Sequence, residues 1–150
     1  MKSMITAVCA SVALVGVTAW SQCRTTGTCG AAPAPEVKAV VPGEINPAGV
    51  AALIKAKTPM VILDARSGKY DDGKRVPGAL SLNAESSAAA VAEVVADTSA
   101  LIVTYCANPK CPASSKLAQH LVSLGYTNIL EMPAGIQGWI EEGRAVDTAK

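Results

Sequence analysis

The chain has 150 residues, of which 50% are apolar and only 3% are aromatic, and it contains no Phe. This length suffices for one domain, whose core must be built from aliphatic side chains. The formal net charge is +1 and Lys and Arg form no block, which argues against nucleic acid as a partner.

Residues 1–21 predict an export signal, because Lys2 precedes an apolar run and the tripeptide Ala-Trp-Ser at 19–21 has small residues at the two positions that a signal peptidase reads. Cleavage there would leave Gln22 first and deliver the protein to the periplasm or the cell envelope. Two alternatives stay open, a lipid on Cys23 and an uncleaved N-terminal anchor, since the run is near the lower limit for a spanning helix. Either alternative would attach the protein to a membrane.

Residues 22–39 are small, polar and rich in Pro, which predicts a flexible linker. Loss of the signal removes Cys9 and leaves four of the five cysteines: Cys23, Cys29, Cys106 and Cys111. An even number in an oxidising compartment permits two disulfides with three connectivities. For the two linker cysteines, a local disulfide or a lipid site is favoured over chemistry.

Residues 40–146 predict a folded domain in which strands and helices alternate. The predicted strands are 60–64, 80–82, 101–105 and 128–131. The predicted helices are one that starts at Pro47 with Asn46 as its cap, and those at 86–96, 112–124 and 135–143, the third ended by Gly125. This alternation predicts an α/β fold, a parallel sheet with helices on both faces.

Two chemically versatile residues, Asp64 and Cys106, stand where predicted strands end, and ligands of parallel sheets bind beyond those ends. A second cysteine, Cys111, lies five positions later at the start of a predicted helix. The loop between the cysteines consists of Ala107, Asn108, Pro109 and Lys110. Backbone N–H groups of such a loop and the helix dipole form an anion cradle, which would lower the pKa of a thiol. Cys106 is therefore the candidate nucleophile.

The segment 47–143 resembles a single rhodanese-like domain, the sulfurtransferase module. The matching pieces, in the family's order, are V-I-L-D-A-R with Asp64 and Arg66, V-P-G-A at 76–79, L-I-V-T-Y-C ending on Cys106, L-G-Y-T-N-I-L, and G-I-Q-G-W-I-E-E-G. The resemblance implies the rhodanese-like α/β fold and a sulfurtransferase that carries sulfur as a persulfide on Cys106. Its partners would be a small sulfur donor and a thiol acceptor or reductant, and no cofactor is expected.

The sequence departs from the family pattern in two places. The family's loop usually has Gly at its fourth position and Arg at its sixth, where this chain has Pro109 and Cys111. Arg grips an anionic donor as a bidentate cation, so its absence argues against thiosulfate as the natural donor and leaves Lys110 to supply charge. Arg75 stands where the family usually has His. Asp64 and Arg66 are expected to brace the loop and the core.

Several interpretations of Cys106 and Cys111 stay open. Cys111 could resolve a persulfide on Cys106 through a disulfide, the pair could be a redox switch without sulfur cargo, or it could be an inert disulfide in a non-catalytic interaction module. No metal site is predicted, because the two cysteines lack a second pair and His120 is the only histidine. His120 is expected on the solvent side of its helix, and Trp139 in the core.

Overall fold

A computed structural model describes residues 40–148 of the chain. The predicted signal, the linker and the cysteines Cys23 and Cys29 lie outside the described residues. Within residues 40–148, no helix is long and apolar enough to span a bilayer.

The described part is a mixed α/β structure. Its strands are β1 (Gly43–Glu44), β2 (Val61–Asp64), β3 (Lys74–Arg75), β4 (Leu80–Ser81), β5 (Ile102–Tyr105), β6 (Ile129–Met132) and β7 (Asp147–Thr148). Its α-helices are α1 (Pro47–Lys55), α2 (Ala88–Val94), α3 (Ala113–Ser123) and α4 (Gly135–Glu141), and a 3-10 turn covers Gly68–Tyr70. Five strands form a parallel sheet in the order β1-β6-β5-β2-β4, and β3 pairs with β7 antiparallel.

The predicted α/β architecture is confirmed, and all four predicted strands and all four predicted helices are present. Asn46 caps α1, since its Oδ1 accepts a hydrogen bond of 2.7 Å from the N–H of Gly49. Gly125 ends α3 with a φ of +92°. The helix predicted at 86–96 is shorter, because it begins only after its cap Ser87. The sequence did not predict β1, β3 or β7, whose two residues each are too few for a periodic pattern.

Helices cover both faces of the parallel sheet. Neighbouring residues of a strand point to opposite faces, so each buried strand contributes apolar side chains to two clusters. One buried cluster joins α2 and α3 to the strands and includes Leu63, Val91, Ile102, Leu117, Leu121 and Ile129. The other joins α1 and α4 to the opposite face and includes Val50, Ile62, Val103, Tyr105, Met132, Ile136 and Trp139. Strand β5 runs between β6 and β2, so the residue that follows it, Cys106, lies at the centre of the sheet's carboxyl edge.

Candidate functional site

The two predicted site cysteines are joined by a disulfide at the carboxyl end of β5. The Cα atoms of Cys106 and Cys111 are 6.2 Å apart, within the range that a disulfide requires. Cys106 is buried, with 2% of its surface exposed, whereas Cys111 is half-buried. The pair therefore presents one sheltered and one accessible sulfur-bearing residue.

Asn108 organises the loop that the disulfide closes. Its side-chain Oδ1 accepts from the N–H of Lys110 at 3.0 Å, and its carbonyl accepts from the N–H of Cys111 at 3.0 Å. Pro109 occupies the second position of this turn, where its fixed φ is favourable. Two of the amides from which an anion cradle was predicted thus donate to Asn108 in the disulfide form.

The start of α4 holds the first residues of the loop. The N–H groups of Ile136 and Gln137 donate to the carbonyls of Cys106 and Ala107 at 2.9 and 3.0 Å. Gly135 permits this contact, because its φ is +63° and a Cβ there would lie 2.6 Å from the carbonyl oxygen of Cys106. The amides of α4 therefore position the backbone beside Cys106.

A cavity of about 460 Å³ opens beside the disulfide. Its lining includes Arg66, Tyr70, Cys106, Asn108, Lys110 and Cys111. The structure thus brings together both cysteines, three of the four predicted loop residues and one of the two predicted supporting residues, whereas Pro109 and Asp64 do not line this cavity. Tyr70, whose ring is largely exposed at this cavity, was not predicted, because it lies in a polar loop without periodic pattern.

Asp64 and Arg66 form a buried ion pair beneath the cavity. Arg66 donates to the Asp64 carboxylate through Nε at 3.0 Å and Nη2 at 2.8 Å. Nη1 donates to Asp72, and Nη2 donates also to the carbonyl of Lys74. Burial lowers the pKa of Arg66, but the hydrogen bonds to Asp64 and Asp72 outweigh this effect and raise it. With its donors occupied in this way, Arg66 serves as a brace.

The Tyr105 hydroxyl completes this network. It donates to Oδ2 of Asp64 at 2.8 Å and accepts from the N–H of Val76 at 3.3 Å. Burial, with the nearby Asp64 charge, raises the pKa of Tyr105, so the hydroxyl stays protonated. Sequence reasoning placed Tyr105 only as the last residue of a strand, although a buried Tyr at that end must find a polar partner.

Arg75, which stands where the family usually has His, forms an ion pair next to this network. Its guanidinium pairs with Asp71, so it contributes no free charge to the cavity. The hydrogen bond from Arg66 to Asp72 lowers the pKa of Asp72. Lys110 is exposed and makes no ion pair within residues 40–148, which leaves it as the unpaired cation of the cavity lining.

The sequence predicted His120 on the solvent side of its helix, but the structure differs from this prediction. It is half-buried, and its Nε2 lies 2.9 Å from the carbonyl oxygen of Ser86, which ties α3 to the segment before α2. Trp139 is in the core as predicted, and its Nε1–H donates to the carbonyl of Ala145 at 2.8 Å. In the part of the chain that the structure describes, no group of three His, Cys, Asp or Glu could hold a metal.

The chain is similar to proteins and domains that are already known. The Rhodanese-like domain family model matches residues 46–142. A protein from Bacillus halodurans is 22% identical with a TM-score of 0.63, over 71% of this chain and 77% of that chain. The rhodanese-like domain of an Anabaena protein is 19% identical with a TM-score of 0.60, over 72% and 80%.

A third solved structure, the thiosulfate sulfurtransferase of Pseudomonas aeruginosa, is 24% identical with a TM-score of 0.58. The match covers 73% of this chain but only 21% of that enzyme. At these identities, the similarities support the fold alone. A search of curated proteins found no match. Since the family model spans well over half of the sequence, the chain belongs to the rhodanese-like domain family.

Proposed function

We propose that this protein is a sulfurtransferase that carries sulfur as a persulfide on Cys106 and releases it with the help of Cys111. The observation that carries the proposal is the pairing of these cysteines at the carboxyl end of β5, beside a cavity, in a rhodanese-like domain. The cavity gives a small sulfur donor access to Cys106, and the short loop keeps Cys111 within reach of it.

The reaction has three steps. The Cys106 thiolate attacks the outer sulfur of a donor, and the donor's leaving group takes the electron pair, which yields a persulfide on Cys106. The Cys111 thiolate then attacks Sγ of Cys106, a disulfide forms, and the outer sulfur leaves as hydrosulfide. An external thiol reductant finally reopens the disulfide and restores both thiols.

The charges around the cysteines support a donor other than thiosulfate. The Arg66 guanidinium binds Asp64, Asp72 and the carbonyl of Lys74, which leaves one Nη1 N–H and therefore no bidentate clamp for an anion. Lys110 supplies a single exposed ammonium, which grips an anion less specifically than a guanidinium. An organic persulfide or organic polysulfide, whose sulfur chain carries at most one negative charge, fits this lining better than a thiosulfate dianion.

The direct test is mass spectrometry of the reduced protein after exposure to a polysulfide donor. Wild type should release one sulfide for each disulfide formed, whereas Cys111→Ser should accumulate one additional sulfur on Cys106. Cys106→Ser should take up none. Persulfides of equal lifetime in wild type and Cys111→Ser, without disulfide formation, would show that Cys111 is not the resolving residue.

A second function, thiol–disulfide redox switching without sulfur cargo, is favoured by one observation. The N–H groups of Lys110 and Cys111 donate to Asn108, so these two donors of the closed loop have hydrogen-bond partners without a bound anion. In that case, oxidant alone would close the disulfide and Cys111→Ser would form no persulfide.

For a non-catalytic module, the reduced protein would be alkylated only slowly at Cys106 at pH 6.

We also propose that the protein acts after export, in the periplasm or attached to the envelope, which supports a disulfide in its working cycle. The support is the pattern of Lys2, the apolar run and the small residues Ala19 and Ser21. Intact mass of the mature protein should show a start at Gln22 or a lipid on Cys23. Recovery of the full chain with Met1 from the cytosol would contradict this.

A further inference from the structure

Cys111 lines two cavities. The first cavity, described above, is lined by both cysteines. A second cavity of about 310 Å³ is lined by Cys111 but not by Cys106. Its lining includes Glu44, Pro109, Lys110, Cys111, Ser115 and Glu131. A small molecule can therefore approach the disulfide through either cavity, and in the second cavity it contacts Cys111 but not Cys106.

The geometry of thiol–disulfide exchange distinguishes these directions. A thiolate attacks one sulfur in line with the S–S bond, from the side opposite the sulfur that leaves. An attack on Cys111 must therefore come from the side away from Cys106, and of these two cysteines only Cys111 lines the second cavity. Attack by a reductant on Cys106 is less favoured than attack on Cys111, because only 2% of the surface of Cys106 is exposed whereas Cys111 is half-buried.

We propose that a thiol reductant enters the second cavity and attacks Sγ of Cys111. The S–S bond breaks, a mixed disulfide forms between the reductant and Cys111, and Cys106 leaves with the electron pair as a thiolate. A second reductant thiolate then attacks the reductant sulfur of the mixed disulfide and releases the Cys111 thiolate. The reductant becomes a disulfide, so the electrons balance. The step depends on the proposed function only for what the freed Cys106 does next.

The charges of the second cavity indicate which thiols it accepts. Glu44 and Glu131 are directly paired in register on the neighbouring parallel strands β1 and β6. Glu131 accepts hydrogen bonds from Ser114 and Ser115 at 2.8 and 2.7 Å, whereas Glu44 is exposed. With Lys110, the lining carries two carboxylates and one ammonium, a net charge that attracts a cation. We therefore expect a reductant with a positive charge near its thiol.

The first test measures how fast cysteamine, a cationic thiol, and 2-mercaptoethanesulfonate, an anionic one, open the disulfide. Cysteamine should react faster, and Glu44→Lys should slow it by several-fold while accelerating the anionic thiol, with both effects weakened by salt. Glu141→Lys is the matched control, since Glu141 is exposed at a cavity beside Ala107 and Asn108 that does not include Cys111. Equal responses of the two variants, or a response of Glu141→Lys alone, would overturn the proposal.

The second test locates the mixed disulfide. Wild type is mixed with excess cysteamine, quenched in acid within the first turnover, alkylated and mapped by peptide mass spectrometry. The adduct should lie on Cys111 and the alkylated thiol on Cys106, and the reverse distribution would overturn the proposal. No sulfur donor is present in either test. A failure of Cys106 to accept sulfur would therefore show only in the donor experiment, separately from these results.

Discussion

At the residue scale, the Tyr105 hydroxyl links two parts of the site that are far apart in sequence. Strand β5 carries Cys106 at its end, and the hydroxyl of the preceding residue donates to Asp64 at the end of β2. Asp64 in turn holds Arg66 below the cavity. The hydrogen bond therefore fixes the two strand ends between which the loop is supported.

Tyr105→Phe should lower the free energy of unfolding by about 1.5–3 kcal/mol, because it removes a buried hydrogen bond to a charged acceptor. Tyr126→Phe is the control, since the Tyr126 hydroxyl is also buried but donates to a neutral acceptor, the carbonyl of Val95. Its loss should be nearer 1 kcal/mol. Urea unfolding of both variants measures the difference, and a larger loss for Tyr126→Phe would contradict the role of the Asp64 network.

The second residue-scale prediction concerns the loop position at which Cys111 replaces the family's arginine. Cys111→Arg should raise kcat/KM for thiosulfate at least about tenfold over Cys111→Ser, because a guanidinium can donate to the donor's oxygens. Both variants lack the Cys111 thiol, so the comparison isolates the charge. No difference between them in a steady-state assay with a cyanide acceptor would mean that the turn at Asn108 and Pro109 keeps the loop from gripping an anion.

At the element scale, the position of α4 relative to the loop at residues 107–110 depends on close approach of the two backbones. The first amides of α4 donate to the carbonyls of Cys106 and Ala107, and Gly135 is the residue that lets the two backbones meet. The contact fixes the direction in which the chain leaves β5. Residues 30 positions downstream in sequence therefore determine where Cys106 lies.

Gly135→Ala should destabilise the fold by more than about 2 kcal/mol and reduce sulfur uptake by Cys106, since its Cβ would collide with the carbonyls of Cys106 and Ala107. Gly68→Ala is the matched control. Gly68 also has a positive φ, +56°, but no atom lies within 4 Å of its added Cβ. Its cost should be limited to backbone strain of about 1 kcal/mol. Thermal unfolding of both variants with persulfide loading as a second readout tests this, and equal effects would count against the contact.

At the scale of the whole molecule, the disulfide closes only a short loop, whereas two buried clusters hold the sheet and the helices together. The chain-entropy estimate for a loop of this size is about 2 kcal/mol. The domain is therefore expected to stay folded when the disulfide opens, as a catalytic cycle between the two states requires.

Reduction should accordingly lower the urea midpoint of wild type without unfolding the domain in the absence of denaturant, with a loss of at most about 2 kcal/mol. Cys111→Ser should show no dependence on reductant, which makes it the control. Circular dichroism during urea titration provides the measurement. Complete unfolding upon reduction would show that the fold requires the disulfide, which therefore could not open and close during a reaction cycle.

The sequence by itself determined the alternation of strands and helices, the caps at Asn46 and Gly125, and the position of Cys106 at a strand end. These are local properties, because periodicity, capping and turn residues act within a few positions. The motifs around Asp64, Arg66 and Cys106 were sufficient for the family resemblance, which the family model confirms.

Only the tertiary structure decided which partners those residues meet. The hydrogen bond from Tyr105 to Asp64 joins residues 41 positions apart, and the contact of His120 with Ser86 joins residues 34 positions apart. The pairing of β1 with β6 likewise brings Glu44 beside Glu131 and forms one side of the second cavity. Such contacts depend on strand order and helix packing, which arise from burial of the whole apolar surface and leave no local pattern in the chain.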